Sequence, residues 1–264
     1  MAREIVAIPL RPESARYGAS MLFLGGLWTG PGVWMGFQSF LAHRGWDGAV
    51  LDLRSVDGGI AARAACVAAE VRSAARPSVL VAHDLGAAIA LEVARQTPVA
   101  GIALLAPLLA GHPAFRRLLL RWRILSALMR GRRVPPPEGS PVLRLEELPD
   151  GSRGRLRSDL AREPARAVRD AVWGKGGVLP RAPALVVTGG RDRLVPPSSG
   201  ATLARALGAE LREIATSGHW LICGPGWEQG VALVHRWAIR RLGEDALDFY
   251  ADAMSERGDR DDDE

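Results

Sequence analysis

A short turn between an apolar run and a helix-forming stretch constrains this chain more than any other feature. The apolar run is residues 78–81, the turn is residues 82–86, and the helix-forming stretch extends to about residue 96. Small residues stand two positions before and two positions after Asp84. Such a sharp strand–turn–helix needs them, because larger side chains would collide with neighbouring backbone. The sequence therefore predicts a strained turn with the carboxylate of Asp84 at its apex.

Two other chemistry-bearing residues follow strand-like segments in the same way. Asp192 lies in a turn after the apolar run 183–188, and His219 lies on a late loop, while the strand 21–25 runs into a glycine-rich loop. Near-continuous apolar strands separated by helices predict a parallel sheet that is buried on both faces. Sites on such sheets lie at the carboxyl ends of the strands, where these residues fall.

The chain order Asp84, Asp192, His219, together with the glycine-rich loop, resembles the α/β-hydrolase family over residues 21 to about 242. The resemblance implies an α/β fold with a mostly parallel, doubly wound sheet and a small helical cap. Its domain boundaries would be a core of residues 1–107 and 181–243, an inserted cap of residues 108–180, and a C-terminal helix end with a disordered acidic tail at 244–264.

An aspartate at this turn favours a particular chemistry. Its carboxylate is ionised near neutral pH and needs no base to activate it. It attacks an ester carbonyl poorly, but it is suited to an sp³ carbon that carries a halide or a strained epoxide oxygen. His219, oriented by Asp192, would then activate the water that hydrolyses the resulting ester of Asp84. By resemblance this is the scheme of epoxide hydrolases and haloalkane dehalogenases.

The resemblance also assigns an oxyanion hole, formed by the backbone N–H of Leu85 with that of Leu27 or Trp28. The same positions depart from those two families. Leu85 stands where they usually have Trp, and Leu27 where dehalogenases commonly have Asn. Epoxide hydrolases protonate the leaving oxygen with cap tyrosines, whereas the tyrosines here, Tyr17 and Tyr250, lie outside the cap.

Two other functions stay open. The loop has Gly25 where most relatives have His, and residues 26–28 resemble the ester- and amide-cleaving branch of the family. An esterase, lactonase or thioesterase would use Asp84 as a general base for water. A protein of a different class, a catalytically silent binding protein, would keep only the pocket.

The segment 114–130 mixes apolar residues with arginines and predicts a basic amphipathic helix. Such a helix can lie on a membrane surface, but its position between core strands favours a cap whose apolar face covers the site. An apolar pocket would take a small hydrophobic molecule. The candidate pocket residues are Trp28, His112, Leu119, Trp122, Trp173 and Trp220.

Charge and composition argue against several classes of protein. Residues 244–264 carry ten acidic and two basic side chains, and the rest of the chain has a net charge of +13, almost entirely from arginine. No nucleic-acid motif accompanies this excess. The two cysteines cannot build a disulfide framework, and no spacing suggests a metal site. We expect a cytoplasmic protein without cofactor, metal, nucleic-acid partner or stable membrane insertion; the oligomeric state stays open.

Overall fold

A mostly parallel sheet forms the centre of the protein, as the alternation of strands and helices predicts. The structure, a computed structural model, describes residues 5–137 and 143–242. Its strands are β1 (Val6–Leu10), β2 (Ser20–Leu24), β3 (Asp47–Asp52), β4 (Ser78–His83), β5 (Gly101–Leu105), β6 (Ala184–Gly189) and β7 (Glu210–Ile214). Their order in the sheet is β1-β3-β2-β4-β5-β6-β7. Strand β1 pairs with β3 in antiparallel orientation, and the other strand pairs are parallel.

Helices cover both faces of this sheet. The α-helices of the described residues are α1 (Met35–His43), α2 (Ile60–Ser73), α3 (Gly86–Gln96), α4 (Pro113–Arg116), α5 (Trp122–Met129), α6 (Asp150–Asp159), α7 (Ala165–Trp173), α8 (Pro197–Leu207) and α9 (227–242). Helices α2, α3 and α8 contribute to the core on one face, and α1 and α9 contribute to the core on the other. The fold is therefore doubly wound.

The apolar strands divide their side chains between the two cores. Met21 and Phe23 of β2 pack in one cluster, and Leu22 and Leu24 of the same strand pack in the other. Successive strand residues point to opposite faces, so a strand buried on both sides needs an uninterrupted apolar sequence. This is the physical reason that the continuous runs in the sequence correctly predicted a sheet covered on both faces.

The strand order places the functional loops side by side. Strands β2 and β4 are neighbours in the sheet, although β3 lies between them in sequence. The chain continues from β2 to β3 on one side of this pair and from β4 to β5 on the other. The glycine-rich loop after β2 thus meets the turn after β4. The loops after β6 and β7 leave the same carboxyl edge.

The segment between β5 and β6 contains helices α4 to α7, and it corrects one expectation. Residues 114–130 do not form a single helix: α4 passes into a 3₁₀ turn, and the backbone is extended at Arg121 before α5 begins. At about 100° per residue, a continuous helix would place Leu118 and Ile124 roughly 120° apart. The break lets both side chains reach the core, where both are buried. The predicted acidic tail, residues 244–264, lies outside the described residues.

Candidate active site

The turn after β4 has the strained geometry that its sequence predicts. Asp84 has a φ of 54°, in the left-handed region that residues with a Cβ rarely adopt. Helix α3 starts two residues later at Gly86, and a Cβ at that glycine would overlap the carbonyl oxygen of Leu24. The turn therefore brings the start of α3 directly against the end of β2, and it presents Asp84 at the carboxyl edge of the sheet.

Asp84, Asp192 and His219 lie together at this edge. Nδ1 of His219 is 2.9 Å from Oδ2 of Asp192, and its Nε2 is 3.7 Å from Oδ1 of Asp84. The other oxygen of Asp192 accepts hydrogen bonds from the backbone N–H groups of Leu194 and Val195. Since Asp192 is fixed in this way, its bond to Nδ1 places the hydrogen there and leaves Nε2 able to accept a proton on the side of Asp84.

The Asp84 carboxylate lies in a cradle of backbone N–H groups. Those of Leu85 and Leu27 form hydrogen bonds to it. Its Oδ2 lies over Gly26, where a Cβ would overlap the oxygen. Its Oδ1 is buried and has no hydrogen-bond partner among the described residues. Oδ2 therefore faces the glycine-rich loop, and Oδ1 faces His219 without a hydrogen bond.

The three side chains shift one another's pKa values. Burial raises the pKa of the Asp84 carboxyl, and His219 and the two cradle N–H groups offset this only in part. Burial would also raise the pKa of Asp192, but His219 and two backbone N–H groups outweigh it, and that pKa is lowered. Burial would lower the pKa of His219, but the charges of Asp192, Asp84 and Glu147 reverse the effect and raise it.

Residues 21–236 match the model of the alpha/beta hydrolase family. The chain belongs to this family. The match covers the sheet from β2 to β7, the turn at Asp84 and the loops of Asp192 and His219, and it identifies the protein as a hydrolase of this fold. None of the curated proteins matches its sequence.

Solved structures of the same fold include ester-cleaving enzymes. An esterase from Thermogutta terrifontis is 17% identical, with a TM-score of 0.71 over 90% of this chain and 94% of its own. A monoacylglycerol lipase from Paleococcus ferrophilus is 15% identical, with a TM-score of 0.71 over 90% and 99%. MenH from S. aureus is 14% identical, with a TM-score of 0.71 over 89% and 98%. At these identities the likeness extends to the fold alone.

Two side chains, the partly buried Glu147 and the buried His83, hold the loop of His219 in this alpha/beta hydrolase. The backbone N–H of His219 donates to the Glu147 carboxylate at 2.8 Å, and its carbonyl oxygen lies 2.9 Å from Nε2 of His83. Burial, followed by the charge of His219, lowers the pKa of His83 to about 3. His83 is therefore neutral at ordinary pH, and its Nε2–H donates to that carbonyl.

The glycine-rich loop of the hydrolase is held from outside by residues that follow α6. Glu163 accepts a hydrogen bond from the backbone N–H of Trp28 at 2.8 Å, and it is ion-paired with Arg63 of α2. Glu163 and Arg63 are both buried. Because the N–H of Trp28 is used here, Leu27 is the loop residue whose N–H faces Asp84. Sequence reasoning missed Glu147, Glu163 and Arg63, since contacts between distant segments leave no local pattern.

The predicted pocket residues fall into two groups. Trp28 and Trp220 are buried, and their indole N–H groups donate to the carbonyl oxygens of Val134 and Leu143. Leu119 packs against the core. His112 is half-buried. Burial lowers its pKa, and the charge of Asp192 offsets this only in part.

The second group consists of Trp122 and Trp173, which are 75% and 54% exposed. Trp122 lines two surface cavities with arginines, and the linings of both lack Asp84, Asp192 and His219. The structure thus does not bring these two tryptophans to the acid–histidine cluster. For Trp122 the reason is the break at Arg121, which turns the Trp122 face of α5 outward.

The described part of the chain offers no group of three or more side chains that would hold a metal ion. Cys66 and Cys223 are free, and burial raises the pKa of the Cys223 thiol to about 12. None of the helices in residues 5–137 and 143–242 is long and apolar enough to span a membrane.

Proposed function

We propose that this hydrolase forms a covalent ester on Asp84 with a small hydrophobic epoxide or alkyl halide and then hydrolyses that ester. The observation that carries the proposal is the unequal surroundings of the two Asp84 oxygens. The backbone N–H groups that a serine enzyme would offer to a substrate oxygen act on the Asp84 carboxylate instead. Oδ2 lies against Gly26, and the buried Oδ1 has no hydrogen-bond partner among the described residues. An oxygen without a hydrogen bond keeps its lone pairs available for attack.

In the first step Oδ1 attacks an sp³ carbon of the substrate. A carbon–oxygen bond forms as the bond from that carbon to the halide or epoxide oxygen breaks, and the leaving group takes the electron pair. Burial raises the pKa of Asp84 because the charged form is poorly solvated. A poorly solvated carboxylate is also the more reactive nucleophile, since less solvation has to be removed for it to attack.

In the second step Nε2 of His219 takes a proton from water, and the water oxygen attacks the carboxyl carbon of Asp84. The carbonyl oxygen of the ester is Oδ2, which lies against Gly26, and the N–H groups of Leu85 and Leu27 act on this carboxyl group. These groups stabilise the negative charge that develops on it. Collapse of the intermediate releases the product oxygen, which takes the proton from His219 and leaves as an alcohol. The second proton of the water then leaves the Asp84 carboxyl, for solvent when the substrate is a halide or for the alkoxide of an opened epoxide, and the carboxylate is restored.

His112 is the best candidate for the residue that stabilises the leaving group. Its Nδ1 accepts the backbone N–H of Ala114 at 3.2 Å, so the neutral ring carries its hydrogen on Nε2. Burial lowers the pKa of His112, which keeps the ring neutral near pH 7. An N–H of this kind can donate to a departing halide or to an epoxide oxygen.

A second candidate is direct ester hydrolysis with Asp84 as a general base, the function that the names of the esterase and lipase neighbours suggest. In that mechanism the substrate carbonyl needs the oxyanion N–H groups. Here the N–H groups of Leu85 and Leu27 act on the Asp84 carboxylate itself, so the geometry favours the covalent Asp84 ester over this candidate.

A single turnover in heavy-oxygen water separates the two mechanisms. Excess enzyme is mixed with an aryl epoxide, an alkyl bromide or an aryl ester, and both the product and the Asp84 peptide are analysed by mass spectrometry. We expect label in the Asp84 carboxyl and ordinary oxygen in the first product. Label in the first product would instead support the general-base mechanism.

Variants make the test specific. Asp84→Asn should abolish multiple turnover, and His219→Gln should let the alkylated enzyme accumulate as a mass increase on the intact protein. Asp47→Asn at the start of β3, whose side chain accepts the N–H of Gly48, is the matched control and should retain activity. Absence of turnover and of mass increase with all three substrate classes would favour a silent binding protein.

A further inference from the structure

A cationic face lies on the outer side of α5 and the loop after it. A surface cavity of about 260 Å³ there is lined by five arginines and by no acidic residue of the described chain. These are Arg123, Arg130, Arg132, Arg133 and Arg162, all of them exposed. Within the described residues only Arg133 has a carboxylate partner, the exposed Asp57 at 3.7 Å. Most of this positive charge is therefore uncompensated by carboxylates of residues 5–137 and 143–242.

Large apolar side chains are exposed beside these arginines. Leu120 is 86% exposed, Trp122 is 75% exposed and Met129 is 78% exposed, while Ile124 and Leu128 of the same helix are buried. Trp122 and Met129 are seven residues apart, and so are Arg123 and Arg130. Residues seven apart lie almost in line on a helix. The outer side of α5 thus carries an apolar row and a cationic row next to each other.

We propose that this face (Leu120, Trp122, Arg123, Met129, Arg130, Arg132, Arg133 and Arg162) docks on the surface of an anionic lipid bilayer. Arginines beside exposed Trp, Leu and Met are the combination that binds interfacial lipid, because the cations attract anionic headgroups and the apolar side chains enter the acyl boundary. A purely anionic polymer would use the arginines but would gain nothing from Leu120 and Met129. The charge and the apolar side chains together therefore favour lipid.

Co-sedimentation with vesicles tests the proposal. The full chain is mixed with vesicles of phosphatidylcholine alone or of phosphatidylcholine with phosphatidylglycerol, at low and at high salt. We expect binding to the mixed vesicles that weakens as salt screens the arginines, and little binding to phosphatidylcholine alone. Failure to bind the mixed vesicles at low salt would overturn the proposal.

Two variants locate the surface. Trp122→Ala with Met129→Ala and, separately, Arg123→Glu with Arg132→Glu should each weaken binding by about tenfold or more. Both pairs alter exposed side chains, and thermal unfolding verifies that the variants are folded. The matched control, Arg72→Glu with Arg205→Glu, makes the same charge change on α2 and α8 and should bind like the original chain. Equal weakening in the control would overturn the proposal, since it would reflect overall charge.

Other occupants of the face would give different results. Binding to the mixed vesicles only after removal of residues 243–264 would assign the face to the acidic tail of the chain. Self-association that is lost in the Trp122→Ala, Met129→Ala variant, without vesicle binding, would assign it to a second copy. Either result would overturn the lipid proposal.

Discussion

At the scale of single residues, an aspartate at the turn differs from a serine because it brings charge into a buried place. The carboxylate of Asp84 is surrounded by protein on the side of the glycine-rich loop, and two backbone N–H groups and His219 only partly compensate its charge. The pKa of Asp84 is raised for this reason. The carboxylate at this position therefore comes at a cost in folding stability.

This cost predicts the effect of Asp84→Asn on stability. The amide keeps an oxygen for the N–H groups of Leu85 and Leu27 but removes the buried charge, so we expect the variant to melt about 2–4 °C higher near neutral pH. An acid whose folded pKa is raised destabilises the fold above its unfolded pKa, near 3.9, and has no such effect once it is protonated in both states. Melting curves from pH 3 to 8 should thus converge as pH falls, whereas an equal difference at all pH values would contradict the explanation.

A second prediction concerns His219 in the proposed mechanism. The Asp84 carboxylate helps to raise the pKa of His219 in the free enzyme, and formation of a neutral ester removes that charge. The pKa of His219 should therefore be lower in the alkylated enzyme, where His219 acts as a base. We expect the rate of ester hydrolysis in single turnovers to rise with pH through an apparent pKa below that measured for His219 by NMR in the free enzyme. An apparent pKa equal to or above the NMR value would contradict this.

At the scale of elements, the site depends on segments that hold loops from a distance. The glycine-rich loop follows β2, but the chain after α6 fixes it through Glu163, and Arg63 of α2 neutralises that carboxylate. Asp159, at the end of α6, also holds the glycine-rich loop, because the backbone N–H groups of Gly30 and Gly32 form hydrogen bonds to its carboxylate. The position of the Leu27 N–H is therefore set by three elements that are separate in sequence.

The buried ion pair gives a stability prediction. Glu163→Ala should lower the free energy of unfolding by about 3–5 kcal/mol, because it leaves Arg63 as an unpaired buried charge. The double variant Arg63→Met, Glu163→Leu should recover part of this loss, although the N–H of Trp28 stays without its acceptor. Urea unfolding of the three proteins measures both effects. A double variant no more stable than Glu163→Ala would indicate that the lost contact to Trp28, not the charge, dominates.

At the scale of the whole molecule, charge is distributed unevenly along the chain. Residues 255–264 contain six acidic residues, two arginines and no apolar side chain. Such a sequence has nothing to bury in a core, so removal of these residues should change the melting temperature by less than about 1 °C. Differential scanning calorimetry of the truncated chain measures this. A loss of several degrees would mean that the acidic segment pairs with arginines of the body.

Much of the architecture and the three central residues could be predicted from the sequence. The continuous apolar runs predicted a sheet covered on both faces, and the small residues around Asp84 predicted the strained turn. The order of Asp84, Asp192 and His219 indicated the family that the match over residues 21–236 establishes. These features are local or follow from chain order, because strand alternation, turn geometry and loop positions are encoded within a few residues of each other.

Only the tertiary structure decided which backbone N–H groups and carboxylate oxygens of the site have hydrogen-bond partners and which do not. It directed the N–H of Trp28 to Glu163 and that of Leu27 to Asp84, and it left one oxygen of Asp84 unbonded. It also broke the segment 114–130, so that Trp122 is exposed. These outcomes depend on packing between segments far apart in the chain, and a hydrogen bond or buried contact formed between such segments leaves no periodic signal in either one.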